Sequence, residues 1–258
     1  MQTAFPRIDG RVALVTGAAG DLGAEISRRL LDAGARVAVL DTAQQALVQR
    51  FSVLGATEAG RLLLLPACDI ADAAQVEDAV SRTVAAFGGL QMLVNNAAMV
   101  TPRGPIGELD PAMWQRTLDV NVTGSWLMAR AAIAQMTAAG SGGVILNIAS
   151  QLGHVAARNN GVYGMTKAAL IAMSRAIAVD HAAAGIRALS LSPGAIMTSR
   201  LTDRYGSEQA VNDALARLYL AGEIGRVEEV AEAALFLLNG GRFLNGSDLL
   251  IDGGYTAV

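Results

Sequence analysis

The 258-residue sequence contains one cysteine, Cys68, and two histidines, His154 and His181. A single thiol cannot build a disulfide framework, and so few soft ligands predict no metal centre. Aromatic residues make up 4% and charged residues 17% of the chain. The net charge is −3, with both signs interspersed, so neither nucleic acid nor an anionic membrane is an expected partner. No apolar run reaches the about 18 residues of a membrane span without a glycine or a charge. Met1 to Asp9 lacks the basic start and apolar run of a secretion signal. A reducing, cytoplasmic setting is therefore expected.

What is present is a chain 52% hydrophobic, rich in Ala and Gly. Short apolar runs alternate with helical patterns. Strands are expected at Val12–Thr16, Arg36–Leu40, Leu62–Cys68, Met92–Val94, Gly143–Ala149, Ile186–Ser192 and Asp248–Ile251. Helices are expected at Ala24–Ala33, Thr42–Leu54, Ala73–Phe87, Tyr163–Ala183 and Val227–Asn239. A long helical stretch, Pro111–Ala139, is interrupted near Gly124. Strands apolar throughout are buried on both faces, and intervening helices imply a parallel sheet. The prediction is one α/β domain over 1–258, a Rossmann-like doubly wound sheet of about seven strands. Residues 198–224 follow the sixth strand without a clear pattern and are expected to form a substrate lid.

Gly17, Gly20, Asp21, Leu22 and Gly23 lie between the first strand and first helix. Glycines there let the backbone approach a pyrophosphate, and the helix start offers unpaired amides. The second strand ends at Asp41, 18 residues beyond Gly23. A carboxylate at that point accepts bonds from ribose hydroxyls and repels a 2′-phosphate. No basic residue stands at Ala18, Ala19 or Thr42. The expected cofactor is therefore NAD.

Further motifs follow in order: Asp69-Ile70, Asn95-Asn96-Ala97-Ala98, Asn121, Asn147-Ile148-Ala149-Ser150, Tyr163-Gly164-Met165-Thr166-Lys167, Pro193 to Thr198, and Asp252-Gly253-Gly254. Together they resemble the short-chain dehydrogenase/reductase family along nearly the whole chain. The resemblance implies an adenine-reading pair at Asp69 and Ile70. It also implies cofactor contacts at Asn95, Asn96, Ala97, Tyr163, Lys167, Pro193, Ile196 and Thr198, and a catalytic set of Asn121, Ser150, Tyr163 and Lys167. Three positions depart from the family pattern. Asp21 replaces a loop glycine, Ala98 a glycine, and Ala149 the first of two serines. The Asp21 carboxylate is expected to turn from the pyrophosphate, capping its helix start.

Oxidising a secondary alcohol requires a base and a hydride acceptor. Tyrosine titrates near about 10, too high for a base at neutral pH. Lys167, four residues on and on the same helix face, is expected to lower it. Ser150 can hold the substrate oxygen, and Asn121, by resemblance, supports a proton relay. The substrate side is expected to include Ser150, Gln151, His154, Asn160 and Tyr163, with Ala98 and Met99. The polar groups favour a sugar, polyol or related hydroxy compound. Arg103, Arg158, Arg200 and Arg204 could meet an acidic group. The expected activity is an NAD-dependent alcohol dehydrogenase or ketone reductase. The alternatives are an NADPH-dependent carbonyl or 3-oxoacyl reductase and a non-catalytic NAD sensor. By resemblance, the assembly is a homotetramer.

Overall fold

Nine strands appear among the residues described by the computed structural model, which are 8–52, 60–99, 101 and 103–258. In chain order they are Val12–Thr16 (β1), Arg36–Leu40 (β2), Leu62–Leu64 (β3), Met92–Asn95 (β4), Gly143–Ile148 (β5), Ile186–Pro193 (β6), Ile196–Met197 (β7), Gly225–Arg226 (β8) and Asp248–Ile251 (β9). Seven form one parallel sheet in the order β3-β2-β1-β4-β5-β6-β9; β7 and β8 pair separately. All five residues of β1 are buried, as are all eight of β6.

The helices are Asp21–Asp32 (α1), Gln44–Phe51 (α2), Ala73–Phe87 (α3), Pro111–Leu118 (α4), Ser125–Ala138 (α5), Gly161–Asp180 (α6), Ser199–Tyr205 (α7), Glu208–Leu215 (α8) and Val227–Asn239 (α9). Strand side chains alternate between faces. Ala13 and Val15 join a core with Ile26 and Leu30 of α1 and Val230 and Ala234 of α9. Val12 and Leu14 join the opposite core with Val76 of α3, Met128 of α5 and Ile177 of α6. Helix α6 has the length and hydropathy of a membrane span. Here it packs on β5 and β6 and buries Lys167, so it serves as a core helix. The single Rossmann-like doubly wound domain matches the expected fold class.

Element ends differ from expectation for local reasons. Strand β3 stops at Leu64, just ahead of Pro66, which has no amide to extend the ladder. Helix α1 starts at Asp21, three residues earlier than expected, with its acidic side chain in the favourable first turn. Thr42 lies outside α2, because Asp41 Oδ1 accepts the Ala43 amide at 3.0 Å ahead of the helix. Leu54, the expected end of that helix, lies outside the described residues. The stretch expected as one interrupted helix is α4, a π-helical turn over Asp119–Gly124, and α5. Residues 198–224 hold α7, α8 and a 3-10 turn at Ala216–Leu218. They carry a small core of their own around Val211, Tyr219 and Ile224.

Candidate active site

Strands β1 and β4 are neighbours from which the chain winds in opposite directions, so a crevice opens beyond their carboxyl ends. A cleft of about 660 Å³ occupies it. Thr16 Oγ1 accepts the amides of Asn96 and Ala97, each at 3.0 Å. Asn96 Nδ2 donates back to the carbonyls of Thr16 and Gly17 at 2.9 and 3.0 Å. The Gly-rich loop is thus tied to the end of β4. Gly17 has φ +66°, and a Cβ there would stand 2.7 Å from Ala97 Cα; one on Gly23 would stand 2.5 Å from the Gly17 carbonyl. Neither position can carry a side chain without moving the loop. Gly20 caps α1 with no side-chain bond, leaving the amides of Asp21, Leu22 and Gly23 to a ligand. This cradle fits a pyrophosphate.

The Asp21 carboxylate faces elsewhere. One oxygen accepts the amide and hydroxyl of Ser199, both at 2.7 Å, and the other pairs with Arg50 at 2.8 Å. Burial pushes its pKa up, but the Ser199 bonds and Arg50 outweigh that and hold it below the usual carboxylate range. The expected outward turn is therefore present. The expected cap on its own helix is not, because the carboxylate takes the first amide of α7 instead.

At the far end of the cleft, Asp41 Oδ2 accepts the Ala19 amide at 3.1 Å, fixing the carboxylate beside the loop. Asp69 and Ile70 line the same end, and Arg116 pairs with Asp69 at 2.7 Å. Sequence spacing gave no signal for that pairing, whose partners are 47 residues apart.

Ser150, Tyr163 and Lys167 converge on the opposite end, together with Ala98, Met99, Pro193, Ile196, Thr198 and Arg200. Ser150 follows β5, and its Oγ accepts the Leu152 amide at 3.2 Å. Lys167 is 3% exposed, and its Nζ donates to the Ile148 carbonyl at 2.7 Å. Burial lowers the Lys167 pKa to about 8, with a smaller push from Arg200. Tyr163 departs from expectation. Burial raises its pKa, and the opposing influences are a hydrogen bond with Ser150 and the charge of Arg200. Lys167 Nζ lies over the ring, 5.6 Å from its centroid, and is committed to a strand carbonyl rather than to the phenol oxygen.

Asn121 is fully buried in the π-helical turn and does not line the cleft. Its Oδ1 accepts the Met99 amide at 2.7 Å, and its Nδ2 donates to the Met99 carbonyl and to Thr166 Oγ1. It holds a cleft-lining segment rather than facing the cleft.

Four other expected positions stand apart. Asn95 donates to the Ser125 carbonyl and to Asn147 Oδ1 in the core, so it knits β4 to β5 and does not line the cleft. Gln151 is buried and donates to the Tyr219 hydroxyl at 3.1 Å. His154 Nε2 lies 2.8 Å from Asp248 at the edge strand β9. Asn160 donates to the Arg158 carbonyl at 3.0 Å before α6. None of the last three lines the cleft, because each has a partner nearer than the site.

Residues 17–256 match a family model described as enoyl-(acyl carrier protein) reductase. The cis-4-hydroxycyclohexanecarboxylate dehydrogenase of Sinomonas cyclohexanicum is 38% identical, covering 96% of this chain and 97% of that one. The D-threitol dehydrogenase of Mycolicibacterium smegmatis is 36% identical, covering 97% and 94%. Among solved structures, a gluconate 5-dehydrogenase from Burkholderia cenocepacia in complex with NADP and tartrate superposes with a TM-score of 0.87. It is 31% identical and covers 98% of each chain. Sequence, fold and cleft agree on one assignment: the chain belongs to the short-chain dehydrogenase/reductase family.

Proposed function

We propose that the protein is an NAD-dependent oxidoreductase acting on the CH–OH group of a small secondary alcohol. The observation that carries this reading is one cleft with a pyrophosphate cradle at its middle, Asp41 at one end, and Ser150, Tyr163 and Lys167 at the other. The dehydrogenase relatives support the reaction class, and the family binds a nicotinamide dinucleotide. Gly17, Gly23 and the amides of Asp21 and Leu22 would hold the pyrophosphate. Asp41 would take the adenosine ribose, and Ile196 and Thr198 the nicotinamide side. The cofactor supplies the hydride acceptor.

The side chains do the rest. Tyr163 takes the hydroxyl proton during oxidation and returns it during reduction. Ser150 donates to the substrate oxygen and holds charge that develops there. Lys167 keeps N–H groups beyond the one given to Ile148, available to a ribose. Residues 198–224 act as the lid over the substrate. The residues that suggested a sugar or polyol lie off the cleft, so the substrate class rests on the relatives. One acts on D-threitol and one on a hydroxycyclohexanecarboxylate, both compact hydroxy compounds. The proposal includes a cytoplasmic homotetramer, with exposed Phe236 of α9 and Leu250 of β9 at subunit contacts. Light scattering should give four times the mass of the chain.

A screen of secondary alcohols, polyols and hydroxy acids with NAD and NADP tests the reading. NAD should give the higher kcat/KM, because Asp41 repels a 2′-phosphate. A preference for NADP would favour an NADPH-linked carbonyl or 3-oxoacyl reductase, for which the NADP-bound structural relative is the supporting observation. Tight NAD binding without turnover would favour a sensor. Tyr163→Phe should lower kcat by about 10²- to 10⁴-fold while its NAD affinity, read by calorimetry, changes little. A variant with wild-type kcat removes Tyr163 as the base.

A further inference from the structure

The catalytic end of the cleft has an imbalance of charge. Three carboxylates line the cleft, Asp21, Asp41 and Asp69. Asp21 is taken by Arg50 and Ser199, Asp69 by Arg116, and Asp41 stands beside the loop amide of Ala19. None of them belongs to the group around Tyr163. Two cations do, Lys167 and Arg200. Lys167 is buried and bonded to the Ile148 carbonyl. Arg200, in the first turn of α7, is exposed and makes no ion pair or hydrogen bond among the described residues.

The other candidate cations are accounted for. Arg204 stacks on Tyr205, and neither it nor Arg103 or Arg158 lines the cleft. The remaining wall at this end is mostly apolar, with Ala98, Met99, Ala149, Pro193 and Ile196 beside the hydroxyl of Thr198. A polyol would find few partners there. A compact hydrocarbon body with one hydroxyl and one anionic group would find all it needs.

We propose that Arg200 is the specificity-determining residue and that the natural substrate is a hydroxy acid, its carboxylate paired with the free guanidinium while its carbinol faces Ser150 and Tyr163. Arginine suits this task, since its planar fork matches a carboxylate and stays charged at any working pH. The lid position of Arg200 gives the pairing a second effect. An acid in the cleft ties α7 to the substrate, so closure depends on the anion as well as on the cofactor. This inference rests on the proposed alcohol oxidation for its orientation of the substrate.

The test compares acids with their neutral primary amides. The probes are cis-4-hydroxycyclohexanecarboxylate and 3-hydroxybutyrate, each beside its amide. Charge-assisted pairing predicts an acid-over-amide ratio in kcat/KM of about 10- to 100-fold for the wild type. Arg200→Met should bring that ratio near one, and Arg200→Lys should restore part of it. Equal use of acid and amide by the wild type overturns the proposal. So does an Arg200→Met variant that loses both equally, or that loses affinity for NAD by calorimetry, since Arg200 would then serve the cofactor. Calorimetry of acid and amide on NAD-loaded Tyr163→Phe gives a second reading independent of turnover. Tighter acid binding that Arg200→Met abolishes supports the proposal even if no probe is oxidised, in which case the alcohol-oxidation reading is the one that fails.

Discussion

Lys167 is a buried cation in the cleft. An ammonium that titrates near 10.5 in the unfolded chain titrates at about 8 when folded, first because of burial and then because of Arg200. Between those values the unfolded chain binds more protons, so this group makes stability rise with pH across that window. Below about pH 8 the penalty is present in full. Denaturant titrations of wild type and Lys167→Met from pH 7.5 to 10.5 should diverge, the wild type gaining up to about 3 kcal/mol relative to the variant. Parallel curves would mean the amine is solvated. Ser150, Tyr163 and Lys167 were named from sequence by the resemblance of their motifs to the family, and one strand end and one helix bring them to the same cleft. Gln151 and His154 could not be placed, because their partners, Tyr219 and Asp248, lie 68 and 94 positions away. A polar residue near a site in sequence joins the site only if no better partner reaches it first.

Among the elements, α7 is the one held from outside. It has seven residues, no side-chain cap at Thr198, and no buried residue, so little within it favours a helix. Asp21 of α1 supplies what is missing by accepting the Ser199 amide and hydroxyl while pairing with Arg50 of α2. Asp21→Ala should therefore release α7. Amide exchange through residues 200–205 should quicken about five- to tenfold, the weight of a lost hydrogen bond of roughly 1 kcal/mol, with exchange in α6 unchanged. Equal quickening in both helices would point to global destabilisation instead. The same features explain why residues 198–224 read as unpatterned. Helix α8 buries only Val211, and two short helices with one or no buried residue leave no periodicity to detect. The break in Pro111–Ala139 was visible as a glycine, but its form was not. A π-helical turn over Asp119–Gly124 is a matter of backbone bonding, with Asn121 committed across to Met99 and Thr166.

For the whole molecule, the parallel doubly wound class was legible because short, mostly apolar strand segments alternate with helical patterns along the chain. That pattern admits few arrangements once crossovers are right-handed. Parallel strands also point every carboxyl end at one rim, and the cleft lies there. The opposite rim carries the turns that lead into strands, at Gly34 before β2 and at Gly140 and Gly142 before β5. The turn around Gly140 is exposed, and a Cβ on that glycine would meet nothing within 4 Å. The chain can thus be opened at one pole without disturbing the other. A peptide tag of roughly 10 flexible residues inserted at Gly140 costs little loop entropy and should leave NAD affinity unchanged by calorimetry. The same insert between Asn96 and Ala97 should abolish it. A protein laid out in this way offers its turn-bearing pole as an attachment point, where a surface, a label or a fused domain can be joined while the cleft stays open to solvent.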